Sequence, residues 1–439
     1  MSETPQDPSA QQADIGAASP TERVRHGPDA LVVLRDPATI RARCAAITEA
    51  VSSNRSPYFR IDRERFDFVV GQVEAVTRAA YPDLKIPMHS RWRHFGVGGV
   101  DRKALMDERL SERSIESITR ARIDLTVVSV LLDAGAGAGW RYLEPDSGQH
   151  FSRSEGLAVA SWHAFSEGLF SDAEDDPLRV DAAALQRLDV AALKKAFQVS
   201  AENPLVGLEG RVALLNRLGS ALAARCTGDP GRARPALLFD LLVDAGDASR
   251  RVGADQVLRV VLDVFAPIWR NGSVLHGVPL GDVWPHPWAG GESAQAGRHG
   301  TTAGLVPFHK LSQWLSYSLF EPLQWAGIEL ENLDALTPLP EYRNGGLLLD
   351  GGVIVPRDPR LLRRRWTPKD EFIVEWRALT VSLIDELAPL IRHRLQRSAE
   401  QLPLACILEG GTWAAGRELA KQLRDGAPPV LIDSDGTVF

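Results

Sequence analysis

Apolar residues recur at helical spacing along most of this chain. Asp36 followed by Pro37 opens a helix over 37–53, a capping carboxylate before a residue suited to the first turn. Within 114–133 the run IDLTVVSVLLD is almost wholly apolar, which predicts a helix buried on every side. Gly135, Gly137 and Gly139 then stop it. WRYLE and QHFSRS, joined by PDSG, read as a β-hairpin. Further helices are predicted at 155–170, around LAVASWHAF, and from Asn203-Pro204 onward, where Leu208, Val212, Leu215 and Leu222 share a face. Phe308, Leu311, Leu315 and Leu319 form one stripe within 307–326, and a long helix at 370–397 buries Phe372, Trp376, Leu379, Leu383, Leu387 and Leu390. GGLLLDGGVIVPR places two apolar arms around Asp350-Gly351, a second hairpin. The stretch 267–304, rich in Pro, Gly and Trp, reads as a long irregular connection, and VLIDSDGTVF as a closing strand or hairpin.

No internal repeat and no composition shift divides the chain after residue 28. The expected fold is therefore mainly α: one large helical domain over 29–439 with a few small β-hairpins, preceded by a disordered tail at 1–28. That tail lacks the basic and apolar regions of a secretory signal and cannot bury enough surface to order itself. No apolar stretch reaches the roughly 18 to 20 residues that a membrane span requires. The net charge of −7 argues against a general nucleic-acid binder, and the basic run RLLRRR at 360–365 reads as a solvated face. Cys44, Cys226 and Cys406 are too far apart for a disulfide framework or a CxxC metal site, which fits a reducing, cytoplasmic setting. Oligomeric state is not legible.

Signatures of P-loop nucleotidases, zinc proteases and serine hydrolases are absent, and the glycines at 135–139 lack dinucleotide-fold spacing. His89 and His94 flank Arg91 and Arg93, an awkward setting for a cation, so no metal or cofactor is expected. Asp133, ending an apolar helix, must be paired, hydrogen-bonded or shifted in pKa, either as a structural carboxylate in the glycine turn or as a ligand group. Ser154 can cap the next helix, with Glu155 favouring its positive end. Glu209 and Asn216 share a helix face with Arg211 and Arg217 alongside. His309, Gln313 and Tyr317, spaced by four, form a polar row that either holds a heterocycle or sugar or is satisfied internally. Arg343 in EYRNGG and Arg377 in EWRALT, with Glu341 and Glu375, suit an Arg–carboxylate tie or a substrate clamp. Trp284, Trp288 and Trp314 can stack on a planar base or fill the core.

Several blocks together resemble a known family: HSRWRHF (89–95), VSVLLDAGAGAGW (128–140), RSEGLAVAS (153–161), NPLVGLEGR (203–211), PFHKLSQWLSYSL (307–319), LPEYRNGGLLLDGGV (339–353), EWRALTV (375–381), EGGTWAAGRE (409–418) and SDGTVF (434–439). The chain is similar, over residues 30 to 439, to the uracil-catabolism proteins of the fungal URC pathway and their bacterial relatives. The resemblance implies a place in the route that converts uracil to a nucleotide, opens the ring and finally frees urea.

A remoter likeness joins the chain to the queuosine-salvage N-glycosidases, whose fold resembles helical DNA glycosylases. It rests on Asp133 with Trp140, on GLAVAS, on FHKLSQWLSYSL and on VEWRALTV. Where that family carries FRD and KRAQ patterns, VLHGVPLGDVWPH offers only Asp282. The two resemblances together imply an N-glycosidase for a ribosylurea-like nucleoside or nucleotide. Asp133 or Asp282 would serve the sugar side. His309, Gln313 and Glu209 would hold the leaving group or sugar hydroxyls, Trp140 or Trp314 would form an aromatic wall, and Arg343 and Arg377 would take a phosphate. A hydrolase acting upstream on the opened ring, or a non-catalytic binding protein of the pathway, are the alternatives; an enzyme requires an enclosed cavity with converging carboxylates.

Overall fold

The computed structural model describes residues 30–133, 135–137, 139–245, 250–270, 272–275, 277–290 and 302–433. The predicted tail at 1–28 and the terminal SDGTVF lie outside these. Asp36 caps α1 (Pro37–Ser52) by accepting from the Ala38 N–H at 2.8 Å. After β1 (Phe59–Ile61), α2 (Phe66–Ala80) and the short α3 (Arg91–Phe95), Ser114 caps α4 (Ile115–Leu131). The predicted hairpin is present as β2 (Arg141–Leu143) and β3 (His150–Ser152), paired antiparallel with Tyr142 opposite Phe151. The chain runs from it straight into α5 (Arg153–Ser166), and later into α6 (Leu208–Arg225).

The 267–304 region is less irregular than its composition suggests. Within it β4 (Val283–Pro285) pairs antiparallel with β5 (Leu305–Pro307), and this ribbon delivers the chain to α7 (Lys310–Trp325). His309, at φ 48°, makes the turn between them. The segment read as a second hairpin is instead α8 (Tyr342–Asp350), followed by β6 (Ile354–Pro356). Glu341 caps this helix, accepting from the N–H groups of Arg343 at 2.7 Å and Asn344 at 2.5 Å. Its glycines serve close packing: a Cβ on Gly345 would lie 2.7 Å from Trp376 Cε2. The apolar arm at 354–356 pairs with β1 rather than with its own neighbour, Phe59 opposite Pro356. The chain continues through α9 (Glu371–Leu395) to α10 (Trp413–Arg424).

Helices hold 58% of the chain and, among the described residues, strands occur only as two-stranded pairs, so the protein is mainly α. The middle helices α4, α7 and α9 bury about two thirds of their residues each, well beyond a single apolar face. Interior helices of this kind hold charges only where partners exist, so their buried ionic residues direct attention to the site.

Candidate active site

Asp133 follows the last turn of α4, where its carboxylate leaves the apolar core. Oδ2 lies 3.0 Å from Nη1 of Arg91, whose side chain is wholly buried, and Oδ1 accepts from the Ser154 hydroxyl. Ser154 therefore does not cap α5 as its position suggests. The helix starts two residues earlier than that cap implies, at Arg153, and the hydroxyl is turned onto Asp133. Arg91 also donates to Ser129 Oγ (2.8 Å), the Ser154 carbonyl (3.0 Å) and His94 Nδ1 (3.1 Å). Burial raises the Asp133 carboxyl above the ordinary carboxylate range against the pull of Arg91. Burial and then Arg91 push His94 well below its usual value, so it is a neutral acceptor at Nδ1. Gly137 lets the loop after Asp133 fold close to Val206, whose Cγ2 would lie 2.7 Å from a Cβ there.

Lys310, at the start of α7, lies in the same electrostatic field. Its ammonium has no hydrogen-bond or ion-pair partner among the described residues. Burial lowers its pKa, while Glu341, Asp133 and Asp282 favour the charged form and Arg377 opposes it. Glu341 is likewise raised by burial, against the two backbone N–H groups it accepts. One lysine thus couples carboxylates supplied by α4, the β4 segment and α8.

Asp282 is brought here by the β4–β5 ribbon. Its carboxylate meets Arg377 through two 2.7 Å contacts and also accepts from Trp284 Nε1 (2.7 Å) and the Lys310 N–H (2.9 Å). Burial alone would raise the Asp282 carboxyl, but these donors outweigh it and hold it below the ordinary range. It is an ion-paired anchor for the first turn of α7.

Outside Asp133 an open cleft of about 750 Å³ lies between the β2–β3 hairpin with the start of α5 and the face of α10. Arg153 and Glu155, on either side of Ser154, line it, and Glu155 acts electrostatically on both Arg91 and Asp133. Arg417 on α10 reaches across to Glu155 at 3.2 Å. A π-helical turn, Leu408–Thr412, precedes α10 and carries Glu409, which accepts from His89 Nδ1 at 2.7 Å. His89 in turn lies 4.5 Å from the Trp314 ring.

The remaining predicted residues divide plainly. Trp314 lies against His89 and His94, beside the Asp133 cluster. Arg343 is buried on α8, with Nη1 on the Gly426 carbonyl at 3.2 Å. Arg377 pairs with Asp282 and donates from Nε to the carbonyl of Pro340 (3.3 Å), the second residue before α8. Gln313 is committed to the Phe308 carbonyl and to Thr337, and Tyr317 to the Thr337 carbonyl, so this part of the polar row is satisfied internally. His309 donates from Nε2 to the Leu34 carbonyl at 2.8 Å. Trp140 is fully buried, stacked on Phe197 and bonded to its carbonyl, and forms core beneath α5. Glu209 is exposed on α6 and stands apart from the cluster, whereas Arg211 on the same helix is buried and donates to the Leu132 carbonyl. Sequence reasoning missed Lys310 and read Glu341 only as a partner in an Arg–carboxylate tie or clamp. A lysine opening a helix opposes the helix dipole, and that local conflict is the signal that marks it. No group of three metal-ligating side chains occurs among the described residues, and no described helix is long and apolar enough to cross a membrane.

The family described as "Protein of unknown function (DUF1688)" matches residues 33–439. Protein urg3 of Schizosaccharomyces pombe is 38% identical over 410 residues, covering 91% of this chain and 96% of its own. Uracil catabolism protein 4 of Lachancea kluyveri is 36% identical over 433 residues, covering 91% of this chain and 97% of its own.

Proposed function

Because this chain belongs to the DUF1688 family, with a relative named for uracil catabolism that matches it nearly end to end, we propose that it acts in uracil catabolism as a hydrolase of the N-glycosidic bond in a ribosylurea-like intermediate. The observation that carries the reading is the buried carboxylate of Asp133, held by Arg91 and Ser154 and lying in the electrostatic field of Lys310, more than 170 positions away in the chain.

Breaking the bond from the sugar anomeric carbon to the ureide nitrogen builds positive charge on the sugar. A fixed carboxylate stabilises that charge and directs the attacking water. Asp133 has this role, oriented by Arg91 and Ser154. The bonding pair leaves with the ureide nitrogen, which takes a proton from the Lys310 ammonium, while water gives hydroxide to the sugar and its own proton to Asp133. Return of that proton to Lys310 resets the site, and the products are the free sugar and urea. His94 and Trp314 flank the Asp133 side. Asp282 and Arg377 hold the α7 terminus that carries Lys310.

The test is incubation of the purified full chain with ribosylurea and with its 5′-phosphate, following urea and reducing sugar together. Stoichiometric release of both supports the reading. If neither compound releases urea, the reading fails, and the opened-ring nucleotide becomes the substrate to assay.

A further inference from the structure

The geometry points to a phosphate subsite at the mouth of this cleft, so that the molecule taken is a pentose 5-phosphate derivative rather than a free nucleoside. The direction assigned to the sugar rests on the Asp133 reading above; the phosphate subsite does not. Arg343 and Arg377 are the cations that sequence alone offers for a phosphate, and Arg377 is occupied by Asp282 through both of its terminal nitrogens.

Arg343 differs. It is 4% exposed, and its Nε is buried with no partner among the described residues. Its guanidinium reaches the cleft wall at Gly426. Arg153, on the facing wall, is exposed and has no ion pair or hydrogen bond among the described residues. The Arg343 guanidinium lies over the Tyr342 ring, 4.7 Å from its centroid. Arg141 and Lys421 add two further cations to the lining, against Glu155, Glu418 and Asp425, of which Glu155 is already matched by Arg417.

Two backbone features fit the same ligand. Arg153 is held at φ 54°, a left-handed conformation unusual for a residue with a side chain and one that persists where surroundings enforce it. The N-cap residue Ser152 makes no side-chain bond to the first turn of α5, so the N–H groups of this fourteen-residue helix remain available at the lining position Arg153 occupies. The Arg153 guanidinium at an open helix start, with the Arg343 charge behind the wall at Gly426, suits a phosphate dianion. From there the sugar extends past Ser154 toward Asp133, and the cavity volume is ample for a pentose phosphate.

Calorimetric titration of the full chain with D-ribose 5-phosphate and with D-ribose tests this. The phosphorylated sugar binds at least ten-fold more tightly. Arg153→Gly, which keeps the left-handed backbone while removing the charge, reduces that preference ten-fold or more at unchanged melting temperature, and Arg153→Lys restores part of it. Equal affinity for the two sugars, or an Arg153→Gly variant that binds ribose 5-phosphate as the parent does, overturns the assignment. Tight binding of ribose 5-phosphate by a protein that releases no urea from either ribosylurea compound upholds the subsite and removes the N-glycosidase reading instead.

Discussion

Asp133→Asn separates chemistry from architecture. The substitution keeps the shape and one acceptor oxygen but removes the charge 3.0 Å from Arg91, whose side chain is fully buried. Removing one member of a buried ion pair costs about 3–5 kcal/mol when the other is left alone. Arg91 is not left alone: Ser129 Oγ, the Ser154 carbonyl and His94 Nδ1 still receive its protons. The expected loss is therefore about 2–3 kcal/mol. At about 2 cal/mol/K of unfolding entropy per residue, a chain of about 400 residues loses only ~2–4 °C of melting temperature for that change. Turnover falls by about 100- to 1,000-fold, the usual effect of removing one fixed charge that stabilises a transition state. The assay is paired: differential scanning calorimetry and initial rate of urea release on the same preparation. Because burial raises the Asp133 carboxyl and the ionised form is the working one, the parent gains activity as pH rises through a region above the usual carboxylate range, and the variant lacks this limb. Full activity in a folded variant would refute the role given to Asp133. A melting temperature lower by more than ~10 °C would show that the residue mainly holds the fold together.

Lys310→Met should lower turnover by about 100-fold or more and remove the alkaline limb of the rate profile, which in the parent falls below the ordinary lysine range because burial favours the neutral amine. Arg102→Met leaves buried Glu144 without its two 2.7–2.9 Å bonds and should cost about 3–5 kcal/mol in urea denaturation at neutral pH. Glu144 is held down at about 2 by Arg102, Ser147 and His163 against its burial, so its contribution is full above its ordinary pKa of 4.5 and is lost as pH falls from there toward 2. Equilibrium unfolding at pH 6 and pH 3 should show most of that loss, roughly 2 kcal/mol. Gly416→Ala puts a Cβ 2.2 Å from the Arg343 carbonyl oxygen, backbone against backbone, and should destabilise by about 1–3 kcal/mol, measured by chemical denaturation.

Periodicity located the helices well because the strongest patterns belong to α4, α7 and α9, whose apolar surfaces are buried whatever else surrounds them. It failed at GGLLLDGGVIVPR, where Asp350-Gly351 looked like a turn between two apolar arms. The first arm is helical instead, and its Gly345 is there because Trp376 leaves no room for a side chain, a constraint imposed by a helix some thirty residues later. Within the site, the same limit applies. Asp133 stood out because an acid ending an apolar run is conspicuous. Lys310 did not: its conflict with the helix dipole is a weak local signal, and its burial depends on the β4–β5 pairing and on Asp282. Pairing across long separations decides such burial, and no short window contains that information. His309 and Gln313 show the converse: their spacing was visible, but their partners, Leu34 and Thr337, lie in segments that local spacing does not connect.

The two faces of the cleft are made far apart in time: one, at residues 141–155, leaves the ribosome well before the other, at 413–426. Nascent protein can therefore build α4 and the hairpin long before it can grip a ligand, and affinity for ligand should appear only after the later wall has emerged. A ligand of this cleft would then stabilise chains that carry both walls while leaving shorter nascent ones untouched.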